Sequence, residues 1–236
     1  MILTAHQPVY LPWLGFFNKI ASADLFCYFD IVQYQKKDYN NRNKIKTNTG
    51  ALWLSVPVES KDHFEKNVGT IKILQDGWQK KHIKTIELQY KKAPYFKKYF
   101  DQIAQTLTEH STGSLGELNL AMLRQFNEIL GIKTPIVIAS EYDFKGIKSD
   151  LVLDMCKTLG AKKYIFGIQG ENYADVDSFV AEGISPIFQN YRHPVYPQLH
   201  GEFTPNLSVI DLIFNVGERS IEVLMCNNDI NHGWSE

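Results

Sequence analysis

Hydrophobic residues recur along this chain in three rhythms. Ile2 to Ala5 is a short continuous run that stops at His6-Gln7-Pro8, and after Pro12 the apolar positions become Leu14, Phe17 and Ile20 or Ala21, one face of a helix. The pattern predicts a strand, a loop and a helix over 13–22. Leu25 to Tyr34, Ala51 to Val56 and Thr70 to Leu74 are rich in aromatic and β-branched residues and read as strands, with a polar loop over 35–50 between the first two. Trp78, His82, Ile86 and Tyr90 then repeat every four residues, which predicts a helix over 78–92 with its lysines turned outward. Further helices are expected over 94–107 and over 114–130, the latter closed by Gly131 as a left-handed cap. From Pro135 the order is strand (136–140), helix (149–159, ending at Gly160) and strand (163–167). This βαβ unit favours a parallel sheet with a right-handed crossover. A short helix over 176–182, a strand over 186–189 and a helix over 208–216 follow, with Ser208 and Asp211 at capping-box spacing. The expected fold class is α/β, a mainly parallel Rossmann-like sheet in one domain of residues 1–236. A helical insertion spans about 76–131, and a polar tail from about 225, with Asn227, Asn228 and His232, is expected to fray.

Composition narrows the class. A chain of 236 residues with 44% hydrophobic residues buries a core without disulfides, which excludes disorder, collagen and small stapled scaffolds. The first ten residues have no basic n-region, so a secretory leader is not expected, and no apolar run approaches the length of a membrane span. Cys27, Cys156 and Cys226 are far apart and lack CxxC spacing, the mark of reduced thiols, so a soluble cytoplasmic protein is expected. The formal net charge of −1 hides an asymmetry: residues 1–100 carry +8 and residues 101–236 carry −9. That split suits a polyanion-binding face, or two lobes whose fields meet over a cleft.

Four stretches carry candidate chemistry. In His6-Gln7-Pro8-Val9-Tyr10-Leu11-Pro12-Trp13, two prolines hold a strand-to-helix turn extended, at the place where open α/β sheets bind ligands. Trp13, Phe16 and Phe17 read best as core, His6 and Gln7 as function. Gln33 to Lys46 combines five basic residues with three asparagines and two tyrosines. Arg42 and Lys46 are its candidate phosphate clamps, and the amides, Asn43 among them, are candidates to orient a sugar or base; the plainer reading is a solvated hairpin. Lys148-Ser149 before a helix reads as a cap or as an anion site. Gly167-Ile168-Gln169-Gly170 after the next strand permits close backbone approach, but it is neither a Walker loop nor a dinucleotide fingerprint. In Tyr191-Arg192-His193-Pro194-Val195-Tyr196-Pro197, His193 is a candidate acid or base and Arg192 an anion clamp. His193, His200 and Glu202 match no standard metal spacing, so no metal ligands are assigned, and no cofactor is identified.

At these residues the chain resembles the WbqC-like protein family of bacteria. The likeness rests on His6-Gln-Pro-x-Tyr-Leu-Pro-Trp-x-Gly-Phe-Phe, Ala23-Asp24 with Asp30-x-x-Gln33, Asn41-Arg42-Asn43-x-Ile45-Lys46, Trp53-Leu-x-Val-Pro57, and Tyr191-Arg-His-Pro-x-Tyr-Pro197 leading to Ser208-x-x-Asp211. It spans nearly the whole chain and implies a place in surface-polysaccharide (O-antigen, lipopolysaccharide) biosynthesis more than it implies a reaction. Relatives tend to follow the Tyr-x-x-Gly turn with a small residue, proline and glycine, whereas this chain has Ile168, Gln169 and Gly170. A looser resemblance to HIGH-motif nucleotidylyltransferases implies the same opening of the sheet. His6 matches their first histidine, and Val9 stands where the second would be.

These readings converge on a transferase acting on a phosphate-containing small molecule, a nucleotide sugar, by acyl or aminoacyl transfer or by nucleotidyl transfer. His6 and His193 are its expected acid and base, with Asp30 or Asp211 orienting a histidine or a sugar hydroxyl. Arg42, Lys46 and Lys148 are its expected phosphate ligands, and Gln7, Tyr10, Gln33, Asn43, Ser149, Gly167, Gly170, Arg192 and Tyr196 line the substrate site. One rival is a nucleic-acid-binding protein using Lys80, Lys81, Lys84, Lys91, Lys92, Lys97 and Lys98 with Trp78, Tyr90, Tyr95 and Tyr99 interleaved. Another is a scaffold subunit of a polysaccharide-synthesis complex.

Overall fold

The computed structural model describes residues 1–59, 61 and 66–226, so the tail with Asn227, Asn228 and His232 lies outside the described residues. Strand β1 (Ile2–His6) runs through the loop 7–13 into α1 (Leu14–Ala21), and β2 (Leu25–Tyr28) returns beside it. A hairpin of β3 (Arg42–Thr47) and β4 (Gly50–Ser55) precedes three helices, α2 (Trp78–Tyr90), α3 (Phe96–Glu109) and α4 (Leu115–Leu130). The chain then regains the sheet with β5 (Ile136–Ile138), α5 (Ser149–Thr158), β6 (Lys163–Phe166), α6 (Val176–Ala181) and β7 (Ser185–Phe188), and ends in α7 (Val209–Val216) and α8 (Ser220–Met225).

The five longer-range strands form one parallel sheet in the order β5-β2-β1-β6-β7. From β1 the chain winds outward through β2 to β5, then crosses back to β6 on the other side of β1 and continues to β7. This is the doubly wound α/β arrangement that the βαβ reading anticipates. Side-chain alternation sorts the two faces. Leu3, Ala5, Cys27 and Phe29 point into a core shared with Val152, Met155 and Cys156 of α5 and Phe179 of α6. Phe26 and Tyr28 point the other way, toward Phe17 and Ile20 of α1 and Leu118, Met122 and Phe126 of α4. That second core continues without a break through Ile45 of the hairpin, Trp78, Ile86 and Tyr90 of α2, and Ile210 and Phe214 of α7. The hairpin and the helices α2 to α4 all lie in the connection between the neighbouring strands β2 and β5.

Three local expectations are corrected. The polar stretch 35–50 contains β3, paired antiparallel with β4 from Arg42↔Ser55 to Thr47↔Gly50. Ile45 is buried opposite Leu52, and the basic residues alternate with Asn43, Ile45 and Thr47. Thr70 to Leu74 keeps the period of a strand, with Ile71 and Ile73 buried, but it makes only the single bridges Val58↔Ile73 and Lys72↔Ser114. Strand β2 stops at Tyr28, six residues earlier than its composition suggests. At α4 the expected Gly131 cap is present at φ 70°, and Ser114 with Glu117 forms a reciprocal capping box.

Helix α4 is seated on the sheet through contact that leaves no room for a side chain. Tyr28 Oη donates to the Gly116 carbonyl at 2.7 Å, and a Cβ on Gly116 would stand 2.6 Å from Gly69 Cα. Gly69 in turn packs on Asp30, whose carbonyl accepts its N–H at 3.0 Å. Gly116→Ala therefore forces the α4 N-terminus off the segment that holds Asp30. Urea unfolding should show a loss of about 1–3 kcal/mol, larger than the gain of about 1 kcal/mol that alanine brings within a helix.

Candidate active site at the strand-order switch

In a doubly wound sheet the carboxyl ends of the two strands flanking the change of winding leave a crevice. Here those strands are β1 and β6, so the rule puts the crevice between His6-Gln7 and the turn that begins at Gly167. His6 Nδ1 lies 2.8 Å from the Gln7 carbonyl oxygen. A carbonyl only accepts, so Nδ1 carries the hydrogen and Nε2 keeps a lone pair. The ring is braced edge-on by Trp13 and Phe16, at centroid distances of 5.6 and 5.1 Å. Burial, assisted by the charge of Lys19, pushes the imidazole pKa down to about 3, so His6 is neutral at physiological pH.

Lys19 was absent from the candidates the sequence offered. It is 3% exposed, donates from Nζ to the Ala5 carbonyl at 2.8 Å, and forms no ion pair among the described residues. Burial alone brings its pKa down to about 7. Its signal is that α1 carries Leu14, Phe16, Phe17 and Ile20 around most of its circumference, which leaves a lysine between them no solvent face.

Around the crevice, Gln7 Nε2 donates to Asp38 Oδ2 at 3.2 Å. Asp30 accepts from the backbone N–H and hydroxyl of Ser140 at 2.9 and 2.7 Å, which joins the ends of β2 and β5. Gly167 faces open space, whereas a Cβ on Gly170 would lie 2.5 Å from Phe166 Cβ, so that second glycine serves close packing of the turn on its own strand. Ser149 Oγ accepts the Asp175 N–H at 2.9 Å and ties α5 to the start of α6; Lys148, exposed at φ 52°, precedes it. Gln33 is exposed and bridges to Asn67.

Several other candidates are used inside the protein. Tyr10 is fully buried and its hydroxyl meets His82 Nδ1 at 2.8 Å. Asn43, equally buried, donates to the Leu11 carbonyl at 2.7 Å, so its amide is spent on the backbone. Asp211 does not reach back to Ser208 as a capping box requires; Ser208 Oγ accepts from the Ile210 N–H instead. The Asp211 carboxylate turns inward to accept from Tyr90 Oη (2.9 Å), Tyr196 Oη (2.9 Å) and Gln198 Nε2 (2.8 Å). Lys46 joins this cluster, donating to Gln198 Oε1 at 3.0 Å and to the Glu202 carbonyl. Burial raises the Asp211 pKa, against the pull of its three hydrogen bonds and of Lys46. His193 sits over the same cluster, packed on Tyr191, Tyr196 and Phe203, with Nδ1 donating to the Pro194 carbonyl at 2.9 Å. Its buried Nε2 has no partner among the described residues, and burial lowers its pKa. No hydrogen bond or ring contact joins His193 to His6 among the described residues. The chain leaving β7 is held along α1, with Gln189 Nε2 on the Gly15 carbonyl and Asn18 Oδ1 and Tyr191 against Gly15. Arg192 is exposed.

A row of rings leads away from His6. Trp13 follows at 5.6 Å, Tyr39 lies 5.2 Å from Trp13, and Trp53 of β4 lies 5.6 Å from Tyr39. The Arg42 guanidinium and the Lys44 ammonium lie 4.3 and 4.8 Å from the Trp53 ring centre. The sequence signal for this strip was the pairing of Lys44 with Trp53 across a hairpin that the polar-loop reading concealed. On α2, α3 and the turn between them the seven lysines are exposed, but Trp78, Tyr90 and Tyr99 are buried, which removes three of the four rings proposed to stack on bases.

The neutral state of His6 and His82 and the low pKa of Lys19 make stability pH-dependent in two windows. An unfolded histidine protonates near 6.5, while folded His6 and His82 resist until about 3 and about 4. The unfolding free energy therefore falls as pH drops from 6.5 toward 4. Folded Lys19 releases its proton near 7 and unfolded lysine near 10.5, so its burial penalty is greatest below pH 7 and fades as pH rises toward 10.5. Urea unfolding across pH should show Lys19→Met more stable than the wild type below pH 7, with the advantage shrinking above it. An advantage that grows with pH contradicts the assignment.

No solved structure matches the chain. It is 33% identical over 219 residues to the uncharacterized protein Rv1507c of Mycobacterium tuberculosis, an alignment that covers 92% of this chain and 95% of that protein. Among the described residues no helix is long and apolar enough to cross a membrane. Residues 7–223, from the glutamine beside His6 to the last helix, match the WbqC-like protein family, and the chain belongs to it.

Proposed function

We propose that this protein is a group-transfer enzyme of bacterial surface-polysaccharide synthesis, acting on a nucleotide sugar at the crevice between β1 and β6. The observation that carries this reading is the strand order, which sets the neutral His6 imidazole and the Gln7 amide at the switch point beside the unobstructed Gly167 turn. Membership of the WbqC-like family, resemblance to which implies a place in surface-polysaccharide biosynthesis, supports the pathway.

The reaction that suits the crevice is acyl or aminoacyl transfer to an amino sugar. The Nε2 lone pair accepts a hydrogen bond from the acceptor amine and aims its nitrogen at the donor carbonyl carbon. As the new C–N bond forms and the bond to the leaving group breaks, the amine proton passes to Nε2 and on to the leaving group. A pKa pushed down to about 3 makes imidazolium a costly resting place, so His6 acts as a relay and not as a store. His193 lies with the Asp211 cluster, and its part is to pack the segment after β7.

Loss of an acid–base group costs about 100-fold or more in turnover. His6→Ala should lose activity on that scale, measured as consumption of the activated sugar by the purified protein and as altered polysaccharide in cells carrying the variant. His193→Ala should stay within severalfold of wild type. Undiminished turnover in His6→Ala defeats the reading.

A further inference from the structure

We infer that the β3–β4 hairpin carries a binding site for a nucleoside diphosphate, with Arg42 and Lys44 on the diphosphate and Trp53 on the base. The inference rests on the reading of the crevice as a group-transfer centre, because it assigns the non-reacting part of that substrate.

Charge provides the first argument. Arg42 and Lys44 stand on the same face of β3, and both cationic groups lie within 5 Å of one indole centre, at 4.3 and 4.8 Å. Two like charges gathered at one ring repel, and a bound anion relieves that repulsion. Neither forms an ion pair among the described residues. Arg42 also has a buried Nε without a hydrogen-bond partner, while one of its terminal nitrogens is fixed by the Lys37 carbonyl. A guanidinium held at one end beside an ammonium is complementary to the oxygens of a diphosphate.

The indole provides the second. Trp53 is 37% exposed on an outer strand whose residues Gly50 to Trp53 are all exposed. A tryptophan left in solvent at a hairpin, with neighbouring cations, offers a flat apolar surface to a planar ring. Position provides the third. The row Trp53, Tyr39, Trp13 leads ring by ring to His6, so a ligand anchored on the hairpin extends its transferable end toward the crevice. Asp38, next in the chain to Tyr39, is the residue that Gln7 holds.

The test is calorimetric titration of the full-length protein at low salt with uridine diphosphate, adenosine diphosphate, inorganic pyrophosphate, uridine and a single-stranded oligonucleotide. Saturable binding of at least one nucleoside diphosphate is expected. It should weaken about tenfold or more in Arg42→Gln/Lys44→Gln, and in Lys44→Gln alone by a smaller factor that guards against misfolding of the double variant. Trp53→Ala should weaken nucleoside diphosphates while leaving pyrophosphate unchanged, and His6→Gln should leave all of these affinities unchanged. Binding that is unaffected by the double variant overturns the inference, as does the failure of every phosphate probe to bind. Displacement of the nucleoside diphosphate by a tighter-binding oligonucleotide overturns it in favour of nucleic acid. If His6→Gln abolishes turnover while the hairpin variants bind as wild type, the hairpin site fails and the catalytic reading stands. If His6→Gln turns over normally while the hairpin variants lose binding, only the catalytic reading fails.

Discussion

The loop between β1 and α1 cannot satisfy its own backbone, and much of the molecule is arranged around that fact. Pro8 and Pro12 have no N–H to offer, and Leu11 is held at φ 44°, a left-handed conformation that costs a leucine about 1–2 kcal/mol. Its side chain is nonetheless fully buried, which fixes the loop against the core. The carbonyls of Pro8, Leu11 and Pro12 are answered from outside, by Asn40 Nδ2 at 2.9 Å, Asn43 Nδ2 at 2.7 Å and the Val209 N–H at 2.8 Å, and the Tyr10 N–H finds the Tyr39 carbonyl at 3.1 Å. Each such group left unpaired in the interior would cost about 1–3 kcal/mol, so docking of the hairpin and α7 on this loop is close to obligatory. The same docking sets Tyr39 against Trp13, and thereby connects the hairpin strip to His6.

Asp211 does for the far side of the hairpin what the asparagines do for the near side. The segment 189–208 has no regular secondary structure, yet three donors from it and from α2 converge on one carboxylate of α7. Lys46 extends the network into β3, and the Ser208 N–H reaches the Lys44 carbonyl at 2.8 Å. A buried carboxylate with three donors holds its neighbours in one arrangement far more strictly than apolar packing would, since losing any partner strands a polar group in low dielectric. The conformation of β3 is therefore fixed at both edges, and with it the directions of Arg42 and Lys44.

What the sequence made legible follows from how local each signal is. The β1-loop-α1 opening, the βαβ unit from Ile136 to Phe166, and the four-residue repeat of Trp78, His82, Ile86 and Tyr90 are short-range patterns, and each forms where the pattern places it. The stretch 35–50 reads as a solvated loop or hairpin because β3 buries a lysine and an asparagine, residues that a periodicity argument assigns to solvent. Their burial is decided by partners 32 residues away for Asn43 and 152 away for Lys46. The density of amides in Asn40-Asn41-Arg42-Asn43 is a real signal whose object was misjudged. It reads as an array of donors for a ligand, and two of the three asparagines donate to the protein's own loop. Lys19 was invisible for the opposite reason: an isolated lysine in an apolar helix looks like the helix's one solvent contact until the helix is known to be covered on that side too.

The basic character of residues 1–100 then divides by what each charge faces. The lysines of α2 and α3 are exposed over buried rings, where water screens them and a few tenths of a kcal/mol per pair is the usual scale. Lys46 is absorbed by a glutamine and a backbone carbonyl, and Lys19 acts on the pKa of His6 from inside the core. Arg42 and Lys44 share the ring of Trp53 and have no carboxylate partner among the described residues, and they lie on the hairpin that the β1–α1 loop requires for its own hydrogen bonds. The demand that satisfies the loop's carbonyls thus also delivers two cations on the Trp53 ring, at the far end of the row of rings that starts at the histidine closing β1. A loop able to close its own hydrogen bonds would have no need of Asn40 and Asn43, and the hairpin would lose its principal tie to the crevice.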